Sequence, residues 1–284
     1  MRNDCKEFLE DYISKHIYGK NADYDFYTLF KLYSAYEISC PQDITRAVDE
    51  FSDFLTSWGG TIFNSNVKDA PRLMKYSAKA LHMLLESPLT THQECFVKII
   101  KDIAPYKKNT KILDVGAGLY PKASIKLAND FNSLTAIDVQ FLLSGASMQA
   151  MNISSIEQHF DINTQIQEYD FIIGRRPCGA IEDIVKVCTK FQKPYFIELC
   201  NCCLPQPPFQ GDENWGWEDV LPCHDPHITF SYPYAYNIGG KDIEPIIHKH
   251  THKMFQKSPP QHVGMRLRKI ISQHNADEEK ENIT

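Results

Sequence analysis

The sequence lacks any long apolar run. No stretch approaches the ~20 consecutive apolar residues that cross a membrane as a helix. It also lacks an excess of positive charge. Its 30 Lys and Arg face 36 Asp and Glu, for a net charge of −6. A protein that coats nucleic acid by charge alone is basic, so the balance argues against that role and leaves only a local basic patch. Glycine (13) and proline (16) are sparse in 284 residues, and no internal repeat is present. Collagen-like and low-complexity architectures are excluded. The opening residues, MRNDCKEFLEDY, lack the apolar core of a signal peptide.

What is there is an ordinary globular composition, 43% apolar and 23% charged. A chain of this length can bury well over half of its unfolded surface and needs no staples. Nine cysteines are scattered along it, an odd number. Without an export signal they read as reduced thiols of a cytoplasmic protein.

Residues 1 to about 105 have helical patterning. The best segment carries Ile44, Ala47, Val48, Phe51, Phe54, Leu55 and Trp58, which is i, i+3, i+4, i+7 spacing held for four turns. Asp43 is placed to cap it and Gly59-Gly60 to stop it. A second helix is expected through Leu73, Tyr76, Ala80, Leu81, Leu84 and Leu85, and a third through Cys95, Phe96, Ile99, Ile100 and Ile103. Core packing accounts for all three stripes.

The pattern changes at Lys111. Short apolar runs at 112–115, 134–137, 171–173 and 195–197 alternate with helical stretches. Strands alternating with helices mean βαβ units and a parallel sheet. Further on, residues 227–236 and 263–268 alternate like strands, and Ile243, Ile246, Ile247, His250 and Met254 mark a helix between them. The expected division is a helical domain over 1–106, an α/β domain over 107–274 and a polar tail over 275–284.

The strongest signal is Ile112-Leu113-Asp114-Val115-Gly116-Ala117-Gly118. A strand delivers the chain to a tight turn, and two glycines let the backbone approach a ligand where a Cβ would collide. Pro121 suits the first turn of the helix that follows. The next strand ends in Asp138, an acid able to accept hydrogen bonds from both ribose hydroxyls of a nucleoside. A dinucleotide site wants a third glycine where Tyr120 stands. It also places a pyrophosphate where Asp114 would repel it. Asp114 suits a cationic or amino-acid-bearing ligand better, which favours S-adenosyl-L-methionine over NAD(P).

Here the chain resembles the class I S-adenosylmethionine-dependent methyltransferases. ILDVGAG is similar to their first motif and LTAIDV to their second; IEQHFDI and YDFII stand where their third and fourth strands would. The resemblance covers residues 107–204 and implies a Rossmann-like, mostly parallel sheet. It implies cofactor contacts from Asp114 (methionine ammonium), Gly116 and Gly118 (close backbone approach), Asp138 (ribose) and Asp161 (adenine), with Ala117, Val139 and Gly174 beside them. A narrower resemblance joins Arg176-Pro177-Cys178-Gly179 and Cys202-Cys203 to a subgroup with a His-x-Cys-Gly element after strand four and a Cys-Cys pair after strand five. That subgroup includes tRNA 2′-O-methyltransferases. Arg176 replaces its His, so no role of that His carries over.

The implied activity is methyl transfer to RNA or to a small molecule, with no DNA or membrane partner. The alternatives are a catalytically degenerate scaffold of the same fold and an NAD(P)-dependent oxidoreductase. The Asn/Asp-Pro-Pro-aromatic element of amino-methylating members is absent; Arg175 and Arg176 stand there and suit a phosphate or carboxylate of the acceptor, or else bridge to nearby acids. Cys178, Cys200, Cys202, Cys203, Cys223, His224 and His227 do not have the spacing of a known zinc site, and no metal is expected. Between Pro245 and Ala276 six Lys or Arg and no acid occur, either an RNA-facing stretch or a solvated helix face.

Overall fold

A computed structural model of the chain describes residues 1–16, 22–40, 42–62, 85, 87–200 and 216–255. Three helices come first, α1 (Asn3–His16), α2 (Ala22–Glu37) and α3 (Asp43–Ile62). The sheet-forming part follows: α4 (Thr91–Ile103), β1 (Lys111–Val115), α5 (Lys122–Leu127), β2 (Ser133–Asp138), α6 (Gly145–Ala150), β3 (Ser154–Glu157), β4 (Phe171–Arg175), α7 (Ile181–Phe191), β5 (Tyr195–Glu198), α8 (Trp217–Val220), β6 (Thr229–Ser231), β7 (Tyr234–Asn237) and α9 (Glu244–Phe255).

The seven strands of the described residues form one sheet in the order β3-β2-β1-β4-β5-β7-β6. The first five are parallel, and β7 enters antiparallel between β5 and β6. Successive side chains of a strand face opposite sides, so each strand feeds two cores. Ile112, Phe171, Ile173, Phe196 and Tyr234 join one core with α4 and the N-terminal helices. Leu113, Val115, Ile172, Tyr195 and Ile197 join the other with α7. On α4 the stripe Cys95, Phe96, Ile99, Ile100, Ile103 is buried as its spacing requires, with Phe96 5.8 Å from Phe196 between ring centroids.

The N-terminal helices rest on the β2–β3 side of the sheet. The Ser144 N–H donates to Ser34 Oγ at 2.9 Å and Ser147 Oγ donates to the Ser34 carbonyl at 2.8 Å. Lys31 pairs with Glu157 at the end of β3. Helix α2 is thereby fixed next to the loop that follows β2.

Three local expectations change. Helix α3 runs through Gly59-Gly60 to Ile62 rather than stopping there. Glycine inside a helix costs about 1 kcal/mol relative to alanine, a weak penalty rather than a stop. Asp43 caps the preceding turn instead of its own helix. Its Oδ2 accepts from Ser39 N, Ser39 Oγ and Cys40 N, and these bonds hold its carboxyl well below the usual range. Residues 227–236 make a hairpin, β6 and β7 with Tyr232-Pro233 at the turn, because Pro233 has no N–H for a continuous ladder. The helix read through Leu73–Leu84 and the strand read over 263–268 lie outside the described residues.

One buried carboxylate ties β5 to β7. Asp225, 1% exposed, accepts from Tyr195 OH at 2.8 Å, Asn237 Nδ2 at 2.9 Å and His227 N at 2.9 Å. Tyr195→Phe removes one of three donors and is expected to cost about 1–2 kcal/mol. Asp225→Ala strands all three donors and is expected to cost about 3 kcal/mol or more. Urea denaturation of the two variants checks the ranking.

Candidate functional site

All five parallel strands end at the same edge of the sheet, where ligands of open α/β folds bind. Strand β1 ends in Asp114-Val115 and turns at Gly116, whose φ of +65° only glycine adopts without strain. The Gly116 and Ala117 N–H groups both reach the Ile137 carbonyl, at 2.9 and 3.4 Å. The Gly118 N–H donates to Asp138 Oδ2 at 2.8 Å, and Val139 N–H to Asp138 Oδ1 at 2.8 Å. The acid after β2 therefore closes on the glycine loop, and the Val139 side chain is left 54% exposed beside it.

Asp114 is 2% exposed and faces α5. Ser124 Oγ donates to its Oδ2 at 2.5 Å, while its Oδ1 is buried with no hydrogen-bond partner. Burial pushes its carboxyl up to about 6, against the opposing pull of Ser124 and of the Arg175 charge. A buried carboxylate with one orphaned oxygen is suited to a cation. Tyr120, at the position of a third glycine, packs against the core, and burial pushes its phenol up to about 12.

Gly174 packs closely against the loop that follows it. A Cβ there would lie 2.9 Å from Pro177 Cγ and 3.2 Å from the Val115 carbonyl oxygen. A Cβ on Gly116 would lie 2.8 Å from Pro177 Cα. The two glycines make the seat for Pro177, which places the loop after β4 against the loop after β1.

Arg175 and Arg176 turn inward to an acid. Arg176, with φ +56°, donates from Nε to Glu198 Oε1 at 2.8 Å and from its backbone N–H to the Glu198 carbonyl at 2.8 Å. Arg175 Nη1 lies 4.0 Å from Glu198 Oε2. This is the bridge to a nearby acid that the sequence left open beside an acceptor-binding role. Glu198, at the end of β5, is fully buried, and its Oε2 has no hydrogen-bond partner. Arg175, Glu198 and Tyr234 are neighbours in register across β4, β5 and β7. The Tyr234 hydroxyl is likewise buried without a hydrogen-bond partner, and burial together with the Glu198 charge raises its pKa. His92, in the first turn of α4, brings Nδ1 to 3.9 Å from Glu198 Oε1.

The edge thus brings Asp114, Gly116, Ala117, Gly118, Asp138 and Val139 together, with Gly174, Arg175 and Arg176 beside them. Asp161 stands apart. It is exposed and its carboxylate accepts from Asn163 N at 2.9 Å and Thr164 Oγ1 at 3.3 Å, within its own turn. No described hydrogen bond joins it to the glycine loop. Cys178 Sγ and Cys200 Sγ lie 3.4 Å apart. Cys202 and Cys203 lie outside the described residues, and among the described residues no group of three or more His, Cys, Asp or Glu converges as a metal site. His224 bonds to Glu182 at 2.9 Å instead. In the basic stretch, Lys249 and His250 both bond to Asp102, at 2.9 and 2.8 Å, and so dock α9 on α4.

Five parallel strands in the order β3-β2-β1-β4-β5, with an antiparallel β7 between β5 and β6, decide the architecture. It is the Rossmann-like fold of the class I methyltransferases. No family model and no curated protein matches the chain. Solved structures give weak overlaps. YcgJ from Bacillus subtilis is 12% identical over 38% of this chain and 50% of its own, with a TM-score of 0.31. The 23S rRNA methyltransferase ErmE is 17% identical over 37% of this chain and 46% of its own, at 0.30. The magnesium protoporphyrin IX methyltransferase ChlM from Synechocystis PCC 6803, with bound SAM, is 12% identical over 83% of this chain and 95% of its own, at 0.31. The chain spans about half the length of the first two. The fold assignment rests on the strand order, not on these scores. No described helix is long and apolar enough to cross a membrane.

Sequence reasoning missed Glu198 and His92 as site residues. Glu198 ends a strand as Asp138 does, so its position was visible. His92 lies in a helix before the α/β alternation begins and carries no motif.

Two outcomes are expected. Gly116→Ala adds a collision with Pro177 to a strained φ, whereas Gly118→Ala, with φ +89° and no atom within 4 Å, adds strain alone. The first variant is expected to lose about 2–3 kcal/mol of stability and the second about 1 kcal/mol. Asp114 binds its proton more tightly folded than unfolded, so its contribution to stability falls as pH rises from about 4 to about 6. The fall is about 3 kcal/mol at 1.36 kcal/mol per pKa unit. Urea denaturation across that window is expected to show the slope in the wild type and a weaker slope in Asp114→Asn.

Proposed function

We propose that this chain is a methyltransferase that uses S-adenosyl-L-methionine as its methyl donor. The observation that carries the reading is the orphaned Oδ1 of buried Asp114 beneath the glycine turn. An acid in that place favours a cationic ligand and disfavours a pyrophosphate. S-adenosylmethionine carries both an ammonium and a sulfonium. When bound it supplies an activated methyl group.

The chain's own residues then have separable tasks. Asp114 takes the ammonium side, directly or through water. Asp138 accepts from the ribose hydroxyls with the lone pairs its two backbone bonds leave over. Gly116, Ala117 and Gly118 allow close approach of the backbone, and Val139 offers an apolar face. Asp161 takes part only if its turn reorganises. The helices of residues 1–62 act as a cap beside the β2 loop. Acceptors in RNA and among small molecules both remain compatible with the acidic net charge, and the chain works in the cytoplasm.

A second reading is a scaffold of the same fold that has lost turnover. Pro177, seated on Gly116, supports it by narrowing the approach to the glycine turn.

The test is a thermal-shift titration with S-adenosylmethionine, S-adenosylhomocysteine, NADH and NADPH. Ligand at ~100 times its dissociation constant adds about 2.7 kcal/mol, a shift of a few degrees for a chain of this size. The first two ligands are expected to stabilise, and Asp138→Ala to abolish the effect. Because a cation needs Asp114 ionised, affinity for S-adenosylmethionine is expected to weaken below pH 6, approaching tenfold per pH unit. Asp114→Asn is expected to bind weakly at every pH. Stabilisation by NADH alone would replace the reading with an oxidoreductase.

A further inference from the structure

Three buried polar atoms without hydrogen-bond partners come from three elements at the carboxyl ends of β4 and β5. They are His92 Nδ1 from α4, Glu198 Oε2 from β5 and Tyr234 OH from β7. Isolated orphans are uncommon, and several at one place mark a spot built for a ligand or ordered water. Glu198 and Tyr234 are fully buried beneath this edge. The His92 side chain is 45% exposed, so the imidazole spans from the buried acid to open solvent.

The same edge reaches the glycine turn. Lys122, just after the turn, donates from Nζ to the Ser87 carbonyl at 2.7 Å, so the segment leading into α4 is fixed beside it. Arg175 connects the two halves, since its charge acts on Asp114 while it lies 4.0 Å from Glu198.

We infer that His92 is the group that takes the proton from the methyl acceptor, that Glu198 positions it, and that the acceptor atom is a hydroxyl oxygen. This rests on the methyltransferase reading. Among the described residues, the carboxylate beside His92 Nδ1 is Glu198, whose Oε1 already accepts from Arg176. A bare lone pair aimed at a carboxylate is repelled, whereas an N–H is attracted. The proton of the neutral ring therefore sits on Nδ1 and leaves Nε2 as an acceptor. This is the base-and-orienter arrangement of nucleophile activation. Such contacts are often long before substrate binds, as the 3.9 Å here is. A base singles out hydroxyls. Carboxylates and thiolates attack already ionised, and an amine attacks through a lone pair it already has. A hydroxyl oxygen forms its bond to the methyl carbon as the carbon–sulfur bond breaks, the sulfur leaves as a neutral sulfide, and the hydroxyl proton passes to His92 Nε2.

The first test needs no variant of the buried acid. Long-range proton–nitrogen NMR of the full chain, with His92 assigned by loss of its signal in His92→Gln, reads the ring tautomer directly. Protonation on Nδ1 at a pH where the ring is neutral is expected; protonation on Nε2 overturns the inference. Glu198→Gln, if it folds, is expected to shift the proton toward Nε2, and an unchanged tautomer denies Glu198 the positioning role. In parallel, tritiated S-adenosylmethionine is incubated with the protein and with cell extract split into RNA and small-molecule fractions. Label on a hydroxyl oxygen supports the inference, and label on nitrogen, carbon or sulfur overturns it. His92→Gln is expected to lower that transfer roughly 10²–10⁴-fold while keeping the thermal shift with S-adenosylmethionine. A thermal shift in the wild type with the Nε2 tautomer removes this inference alone; absence of any shift removes the methyltransferase reading and this inference with it.

Discussion

The carboxyl edge of the sheet holds two buried acids, Asp114 and Glu198, and Arg175 is a cation that both feel. Burying a charge is costly unless it is paired, and each of these acids keeps one oxygen without a hydrogen bond, that of Glu198 lying 4.0 Å from Arg175. The sheet accepts that cost at two neighbouring places on the same face. Parallel pairing makes this possible by bringing β1, β4 and β5 to a common end with no intervening strand. The acids, the arginine and the glycine turn are consequences of one alignment of strand ends.

That alignment is held by shape as well as charge. Pro177 fits only because Gly116 and Gly174 have no Cβ. Arg176, next to it, adopts a left-handed backbone and spends its side chain and its N–H on Glu198. The loop after β4 is thus fixed at one end by a steric seat and at the other by an ion pair. Arg175 and Arg176 look on paper like free cations for an anionic acceptor. In the fold both lie against a buried acid, Glu198.

Most of the α/β architecture was legible because β1, β2, β4 and β5 carry short apolar runs that lead into a glycine or an acid. Asp114, Gly116, Gly118 and Asp138 come from local sequence, and the fold joins them by a direct bond from Gly118 N to Asp138. What was not legible depends on long separation. Nothing near His92 announces Glu198, more than a hundred residues away. Gly174 carries no sign that Pro177 would pack against it. The helix through Gly59-Gly60 shows the limit of stop signals, since a propensity of about 1 kcal/mol yields to tertiary context. The hydrogen bonds of Asp161 within its own turn were equally open to its short side chain and were not read from the motif.

The order of the strands also decides how the sheet meets other molecules. Its outermost strands are short, β3 with four residues and β6 with three. Neither has a fully buried position. The buried apolar strands β1, β4 and β5 are all interior, with both ladders occupied. A foreign strand seeking to extend the sheet would find only a few backbone groups and little apolar surface at either end. The placement that concentrates chemistry at the carboxyl edge therefore also guards the lateral edges against strand addition and aggregation.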